Sequence, residues 1–98
     1  MIAEAYNKKT SQDFIVEECE AIKELLLTKN RKYGDSAIHP IRIFAKTDAL
    51  EQIRVRIDDK LNRLLNRQED EDEDLVLDLV GYLVLYRVAQ RSQKQSVQ

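Results

Sequence analysis

The chain has 98 residues, enough for one folded domain but too few for two domains that each bury their own core. Its 16 basic and 18 acidic residues give a net charge of -2, so the chain lacks the excess positive charge of duplex nucleic acid-binding proteins. Hydrophobic residues make up 43% of the sequence and charged residues 35%. We therefore expect a thin amphipathic helical layer that is completed by self-association.

The cellular compartment is predicted from cysteine content and hydropathy. The single cysteine, Cys19, cannot form an intramolecular disulfide, and the opening residues do not resemble a secretion signal. The most apolar stretch, residues 75–88, is shorter than the roughly 20 residues that span a bilayer, and it follows a run of acidic residues. We expect a cytoplasmic protein with no membrane partner.

The chain is predicted to open with an N-terminal arm over residues 1–10, followed by a single helical domain over residues 11–92. A first helix is predicted to begin at a Thr10 or Ser11 cap and to end near Lys29. Four residues at helical spacing form its apolar stripe, and Cys19 is expected to lie in the core. The stripe consists of Ile15, Cys19, Ile22 and Leu26.

Residues 29–40 are predicted to form a polar loop between the first two helices. Gly34 favours the end of a helix, and Pro40 disfavours helical geometry in the residue before it. Three apolar residues directly afterwards are expected to anchor the loop, in a conformation that could include a single helical turn. They are Ile41, Ile43 and Phe44.

Two further helices are predicted after the loop. Asp48, with Glu51 three residues later, is typical of a capping box and marks the start of the second helix. The buried stripe of this helix is predicted to consist of Leu50, Ile53, Ile57, Leu61, Leu64 and Leu65. The third helix is predicted from about Asp72 to about Ser92, with residues 93–98 as a frayed tail.

Apolar residues of the third helix cover more than one of its faces, which indicates burial on two sides. In a chain with three helices, the second side is expected to meet another subunit. The predicted fold is therefore all-α: a small antiparallel bundle of three to four helices completed by homo-oligomerisation, with the third helix at the centre of the assembly.

Carboxylates on the third helix are candidates for a cation site. Asp74 and Asp78 lie four residues apart and share a helix face. Burial of Asp78 among leucine and valine side chains costs free energy unless the carboxylate is paired or bound to a metal ion. The alternative is an ion pair between Asp78 and a cation of the second helix, such as Lys60 or Arg63.

The first helix carries Glu17 and Glu20, and these carboxylates could join Asp74 and Asp78 if the helices face one another. Clustered carboxylates suit Mg2+ or Mn2+, because both ions prefer oxygen ligands. The alternative for the glutamates is a solvated helix face.

Basic and aromatic residues point to a phosphate-bearing ligand. Lys60 and Arg63 flank the apolar stripe of the second helix, where their charges suit phosphate oxygens or, alternatively, salt bridges with neighbouring helices. The segment Lys29-Asn30-Arg31-Lys32-Tyr33-Gly34-Asp35-Ser36 combines cations, an aromatic ring and small polar groups. That mixture suits the phosphate and base of a nucleotide, although it lacks the glycine spacing of a phosphate-binding loop.

Three segments in order resemble the nucleotide modification associated domain of phages and bacteria, which is similar to the MazG-like all-α nucleoside triphosphate pyrophosphohydrolases. The segments are Lys29-Asn30-x-x-Tyr33-Gly34-Asp35-Ser36, Arg56-Ile57-x-Asp59-Lys60-Leu61-x-Arg63-Leu64 and Asp74-x-x-x-Asp78-Leu79-x-Gly81-Tyr82. The resemblance extends over about residues 12–89.

The resemblance implies a dimer or tetramer that uses Mg2+ to cleave a nucleoside triphosphate to the monophosphate and pyrophosphate. The implied catalytic and metal-binding residues are Glu17, Glu20, Asp74 and Asp78. The usual acidic partner lies three residues before Asp78, where this chain has Leu75, so Asp74 would take its place.

The nucleotide-binding residues predicted from the charge pattern and the resemblance are Lys29, Asn30, Lys32, Tyr33, Asp35, Lys60, Arg63 and Tyr82. Two other interpretations of the same residues remain open. The first is a non-catalytic oligomer that sequesters a nucleotide. The second is a purely structural oligomer in which the charges form salt bridges.

Overall fold

The computed structural model describes residues 8–68 and 70–97, so most of the predicted N-terminal arm lies outside the described residues. The chain forms three helices: α1 (Ser11–Tyr33), α2 (Ala49–Leu65) and α3 (Leu75–Val97). The described ranges contain no strand, which confirms the all-α prediction. None of the helices within these ranges is long and apolar enough to cross a membrane.

Helix α1 begins at a capping box and ends at a left-handed glycine. The Asp13 amide donates to the Thr10 hydroxyl oxygen at 3.2 Å, and the Thr10 amide donates to the Asp13 carboxylate at 2.9 Å. Gly34 adopts φ 63° and donates its amide to the Asn30 carbonyl. The prediction that the helix ends near Lys29 is wrong, because the residues before Gly34 continue the helix until the first residue suited to left-handed geometry.

The connection after α1 runs over the surface and is not anchored by its apolar residues. Ile41 is 79% exposed, Ile43 is 63% exposed and Phe44 is 97% exposed. This segment contains no helical turn. The predicted apolar anchor is therefore wrong, because no other part of the described chain covers these three side chains.

Helix α2 starts where the sequence predicts. The Asp48 carboxylate accepts a hydrogen bond from the Glu51 amide at 2.9 Å. The helix packs mainly on α3 and buries Ile53. Leu61 and Leu65 were predicted in the buried stripe of α2 but are 43% and 83% exposed. The apolar stripe of α2 is wider than its contact with α3, so these two leucines lie outside that contact.

Helix α3 starts after the acidic run rather than within it. Asp74 caps the helix, since its carboxylate accepts the Leu77 amide at 2.9 Å. The helix passes its predicted end near Ser92 and includes residues 93–97, which were expected to form a frayed tail. One side contributes the buried Leu75 and Ala89, whereas the second apolar face remains exposed at Val76 and Val88.

Helix α1 packs on α3 through the second half of its length. A Cβ atom added to Gly81 of α3 would lie 3.5 Å from Leu26 Cδ2, so the two helices approach closely there. The first half of α1 lies beyond this contact, with Ile15 61% exposed. Cys19 is also exposed, so its predicted place in the core is wrong.

Candidate functional site: a polar and aromatic cleft

A cleft of about 430 Å³ lies among the three helices. Its apolar wall comes from all three helices and consists of Leu25, Leu26, Ile53, Leu77 and Leu85. Charged, amide and aromatic side chains form the remainder, together with Gly81 and residues of the turn that follows α1. This combination of an apolar wall with a few polar groups is typical of small-molecule sites.

Six of the predicted site residues meet in this cleft. The end of α1 and the following turn contribute Lys29, Asn30, Tyr33 and Asp35. Helix α3 contributes Asp78 and Tyr82, which lie four residues apart and therefore on one helix face. Two sequence segments more than 40 residues apart are thus brought together around one cavity.

The turn after α1 is held by hydrogen bonds between Asn30 and Asp35. The Asn30 Nδ2 amide donates to Asp35 Oδ1 at 2.7 Å, and the Asp35 backbone amide donates to the Asn30 carbonyl at 3.1 Å. Gly34 and Asp35 both have left-handed backbone conformations, with φ of 63° and 64°. Glycine adopts this region freely and aspartate tolerates it, so the sequence allows a sharp turn beside the cleft.

The cations of α2 that were predicted to bind phosphate instead contact carboxylates. Lys60 Nζ lies 3.4 Å from Glu73 Oε1 and 3.4 Å from Asp78 Oδ2. Arg63 binds both carboxylate oxygens of Glu73 with its two terminal nitrogens. Lys60 and Arg63 lie outside the lining of the cleft, and for both residues the structure shows the salt-bridge alternative.

The Lys60 ammonium is largely shielded from water, with 15% of its side chain exposed. Burial acts to lower the pKa of Lys60, but hydrogen bonds and charge attraction from Asp78 and Glu73 outweigh burial. The pKa of Lys60 is therefore raised above its ordinary value of 10.5. The ion pair also places a positive charge beside Asp78, at the edge of the cleft.

The remaining predicted carboxylates do not gather around Asp78. Glu17 pairs with Lys9 at 2.7 Å, and Glu20 pairs with Lys23 at 2.7 Å. Asp74 serves as the cap of α3. Within the described residues, no group of three or more histidine, cysteine, aspartate or glutamate side chains is placed to hold a metal ion, so these carboxylates as arranged do not fit a magnesium site.

Lys32 also lies outside the cleft lining. Its Nζ atom lies 5.5 Å from the centroid of the Tyr33 ring, so it forms a cation–π contact with a residue that does line the cleft. Lys32 therefore contacts the Tyr33 ring and does not itself line the cavity.

Three polar residues that were not among the predicted binding residues line the cleft: Ser36, Gln52 and Arg56. Gln52 and Arg56 lie four residues apart and flank Ile53, the buried residue of α2. That spacing places both residues at the edge of the buried face of α2. The same spacing, read from the sequence, could have predicted that they line the cleft. Arg56 adds a second cation to the cleft beside Lys29.

The chain is thus a small all-α protein with a polar, aromatic cleft among its helices. Comparison with protein-family models, with curated proteins and with solved structures gives no match to this chain.

Proposed function

We propose that the cleft binds a nucleotide. The observation that carries this proposal is the meeting of Lys29, Asn30, Tyr33 and Asp35 with Asp78 and Tyr82 around one cavity of about 430 Å³. Cations for phosphate, rings for stacking and amide or carboxylate groups for a base or sugar are then available together.

The charges of the cleft support an anionic ligand. Lys29 and Arg56 contribute two cations to the lining, against the carboxylates of Asp35 and Asp78. Asp78 already faces the Lys60 ammonium at 3.4 Å, and the Asp35 carboxylate accepts a hydrogen bond from the Asn30 side-chain amide. The carboxylates are thus partly compensated, which leaves Lys29 and Arg56 to attract phosphate oxygens. An arginine can hold two such oxygens at once.

The proposed reaction is hydrolysis of a nucleoside triphosphate, either a ribo- or a deoxyribonucleotide, to the monophosphate and pyrophosphate in phage or bacterial nucleotide metabolism. Water adds to the α-phosphorus as the bond to the departing pyrophosphate breaks. The support for this reaction is the resemblance of the three cleft-forming segments to a nucleotide modification associated domain. Mg2+ dependence belongs to the same proposal, but the carboxylates of one chain give no basis for a step through the metal.

A non-catalytic, nucleotide-sequestering oligomer is the second candidate. Two contacts favour it: Asp78 pairs with Lys60, and the Asp74 carboxylate accepts the Leu77 amide. Both carboxylates then have structural partners without a metal ion. Such a protein would bind the nucleotide in the same cleft and would not turn it over.

We also propose that a second copy of the chain completes the bundle, with α3 at the centre of a dimer or tetramer. Among the described residues, the fully buried hydrophobic side chains are Ile53, Leu75 and Ala89. The exposed second face of α3, at Val76 and Val88, supports this arrangement, because apolar patches of this kind mark interfaces.

Nucleotide binding is tested by calorimetry with a panel of ribo- and deoxyribonucleoside triphosphates, with Mg2+ or with EDTA. Arg56→Met should weaken binding about 10- to 100-fold, because a charge-assisted hydrogen bond is lost. Arg31→Met is the matched control, since Arg31 is exposed and lies outside the cleft lining. Equal affinities for the two variants, or no binding by the unaltered protein, would contradict the proposal.

A second pair of variants tests the cavity rather than its charge. Gly81→Leu should abolish binding, because the new side chain would both enter the cleft that Gly81 lines and push α1 away from α3 at Leu26. Gly81→Ala should retain binding, since its Cβ makes only an ordinary contact with Leu26. Circular dichroism checks that both variants keep their helices.

Turnover separates the enzyme from the sequestering protein. For the enzyme, pyrophosphate release should require Mg2+ and should fall sharply in Asp78→Asn. Binding that persists in EDTA without product at any Mg2+ concentration supports sequestration. Unchanged turnover in Asp78→Asn would overturn the catalytic role of Asp78.

A further inference from the structure

Residues 41–46, in the connection between α1 and α2, form an exposed surface that is both apolar and basic. We call this segment the 41–46 loop. Its three large apolar side chains are Ile41, Ile43 and Phe44, with 79%, 63% and 97% of their surface exposed. Arg42 and Lys46 add two positive charges, and the loop contains no acidic residue. The Lys46 ammonium donates to the Arg42 carbonyl at 3.2 Å, which folds the loop back on itself.

The first half of α1 presents a surface of the opposite charge. Phe14, Ile15 and Val16 are 54%, 61% and 61% exposed and, as consecutive helical residues, cover about half of the helix circumference. Residues 11–22, the first half of the helix, include four acidic residues and no basic residue, and two of the four pair with lysines outside this half, Glu17 with Lys9 and Glu20 with Lys23. The 41–46 loop and this half of α1 therefore match in both apolar character and charge.

The exposed area of the chain is larger than that of a compact monomer of the same mass. The chain exposes 8413 Å², whereas a compact monomer of 11.5 kDa exposes about 5800 Å². The excess is about 2600 Å². This excess is larger than the roughly 800 Å² that each partner buries in a standard interface.

We propose that the 41–46 loop of one copy docks on the first half of α1 of a second copy. The proposal rests on the self-association proposed above but not on nucleotide binding. The second apolar face of α3 is a poorer acceptor for the loop, because Arg87 and Arg91 lie on the same helix and would repel Arg42 and Lys46. When each loop docks on the other copy's α1, the interface is closed and symmetric.

Docking of the loop would also affect the order of the cleft wall that lies next to it in the chain. Residues 35–37 line the cleft and precede the loop by only a few positions. Contact with a second copy would restrict the turn that carries Asp35 and would thereby order one wall of the cleft.

Cross-linking between different copies tests the contact directly, because Cys19 is exposed one helical turn after Ile15. A Phe44→Cys, Cys19→Ser variant is mixed with the unaltered protein and treated with a short bismaleimide. A product with one copy of each should form through positions 44 and 19. The control is Leu65→Cys, Cys19→Ser, since Leu65 is 83% exposed on α2 and outside the proposed contact.

Sedimentation velocity measures the effect of the contact on assembly. Phe44→Asp and Ile15→Asp should each weaken self-association at least about tenfold, because each places a charge in the apolar contact. Val55→Asp is the control, since Val55 is 63% exposed on α2. Phe44 is 97% exposed, so Phe44→Asp should leave the fold of one copy unchanged.

The outcomes distinguish this contact from self-association itself. If the protein is a monomer at all concentrations, both self-association and the loop contact are overturned. An oligomer that is unaffected by Phe44→Asp and Ile15→Asp, and that gives no selective link between positions 44 and 19, overturns the loop contact and leaves self-association standing. A selective link together with weakened assembly in both variants supports the contact.

Discussion

Lys60 joins three parts of the chain through one ammonium group. It belongs to α2, whereas Glu73 precedes α3 and Asp78 lies in its first turn. Both carboxylates lie 3.4 Å from the same nitrogen, and Arg63 holds Glu73 from the other side. The cluster fixes the start of α3 against α2, so loss of Lys60 leaves two partly buried carboxylates without their shared cation.

Lys60→Met should lower the free energy of unfolding at neutral pH by about 1–3 kcal/mol. Because the pKa of Lys60 is raised in the folded protein, its stabilisation is complete below 10.5, the ordinary pKa of lysine. Stabilisation is lost as the pH rises through the higher folded value. The difference between the variant and the unaltered protein should therefore shrink above about pH 10.5.

Urea unfolding followed by circular dichroism, from pH 7 into the alkaline range, measures this difference. Lys94→Met is the control, because Lys94 is exposed on α3. A deficit for Lys60→Met that stays constant through the alkaline range would contradict the ion-pair explanation.

The sequence could place Lys60 and Arg63 beside the apolar stripe of α2 but could not identify their partners. Helical spacing gives the face on which a side chain lies, and both phosphate and carboxylate suit a cation there. The partner Glu73 is one of six consecutive acidic residues with no periodic signal of its own. Only the packing of α2 against α3 brings Glu73, rather than another acidic residue of the run, next to Lys60 and Arg63.

At the scale of the helices, Asp74 has a structural role that can be separated from any role in a metal site. Asp74→Ala should destabilise the chain by about 0.5–2 kcal/mol, because the Leu77 amide loses its acceptor. Asp74→Asn should remain close to the unaltered protein, since asparagine caps helices about as well as aspartate. Thermal unfolding compares these variants with Asp72→Ala, an exposed residue of the same acidic run.

A capping role alone predicts that Asp74→Asn also keeps any pyrophosphohydrolase activity. Loss of turnover in this variant, with stability retained, would show that the carboxylate charge is needed beyond the cap. The two readouts therefore separate support of the helix from participation in chemistry.

The starts of the helices were largely predictable, because capping is a local interaction. Thr10 and Asp48 cap α1 and α2 as the sequence indicates. The end of α1 was placed too early, since the charged residues 29–32 continue the helix until Gly34. Local polarity predicted a loop there, but polar side chains suit the exposed last turn of a helix equally well.

The extent of burial was less predictable than the helices themselves. The apolar stripe of α1 is regular, yet Ile15 and Cys19 are exposed, because α3 packs on the other half of the helix. Periodicity identifies a face that favours burial but does not identify what covers it. Four residues from the segment at the end of α1, Lys29, Asn30, Tyr33 and Asp35, do line one cleft, because they lie close together along the chain, and their role in nucleotide binding stays a prediction.

At the scale of the whole molecule, the chain is extended rather than compact. Its dimensions are 63 × 38 × 22 Å, and its radius of gyration is 17.5 Å, against about 12.6 Å for a compact chain of 98 residues. This shape leaves apolar surface on all three helices in water, and the proposed self-association would bury part of that surface and so add to the stability.

The melting temperature should therefore depend on protein concentration. An assembly loses stability on dilution, because dissociation is favoured by mass action, whereas an isolated two-state monomer does not. Calorimetry over about a hundredfold range of concentration measures the effect. A constant melting temperature over that range would contradict assembly-dependent stability.

Helix α1 contributes one wall of the cleft although each of its residues is at least partly exposed. A helix held so weakly should detach from α3 without unfolding of α2 and α3, and its amide hydrogens should exchange with solvent faster than theirs. A ligand in the cleft should slow exchange at the end of α1, and docking of a second copy should slow it at the start. The free energy of this local opening, rather than that of global unfolding, would then govern how readily a ligand enters.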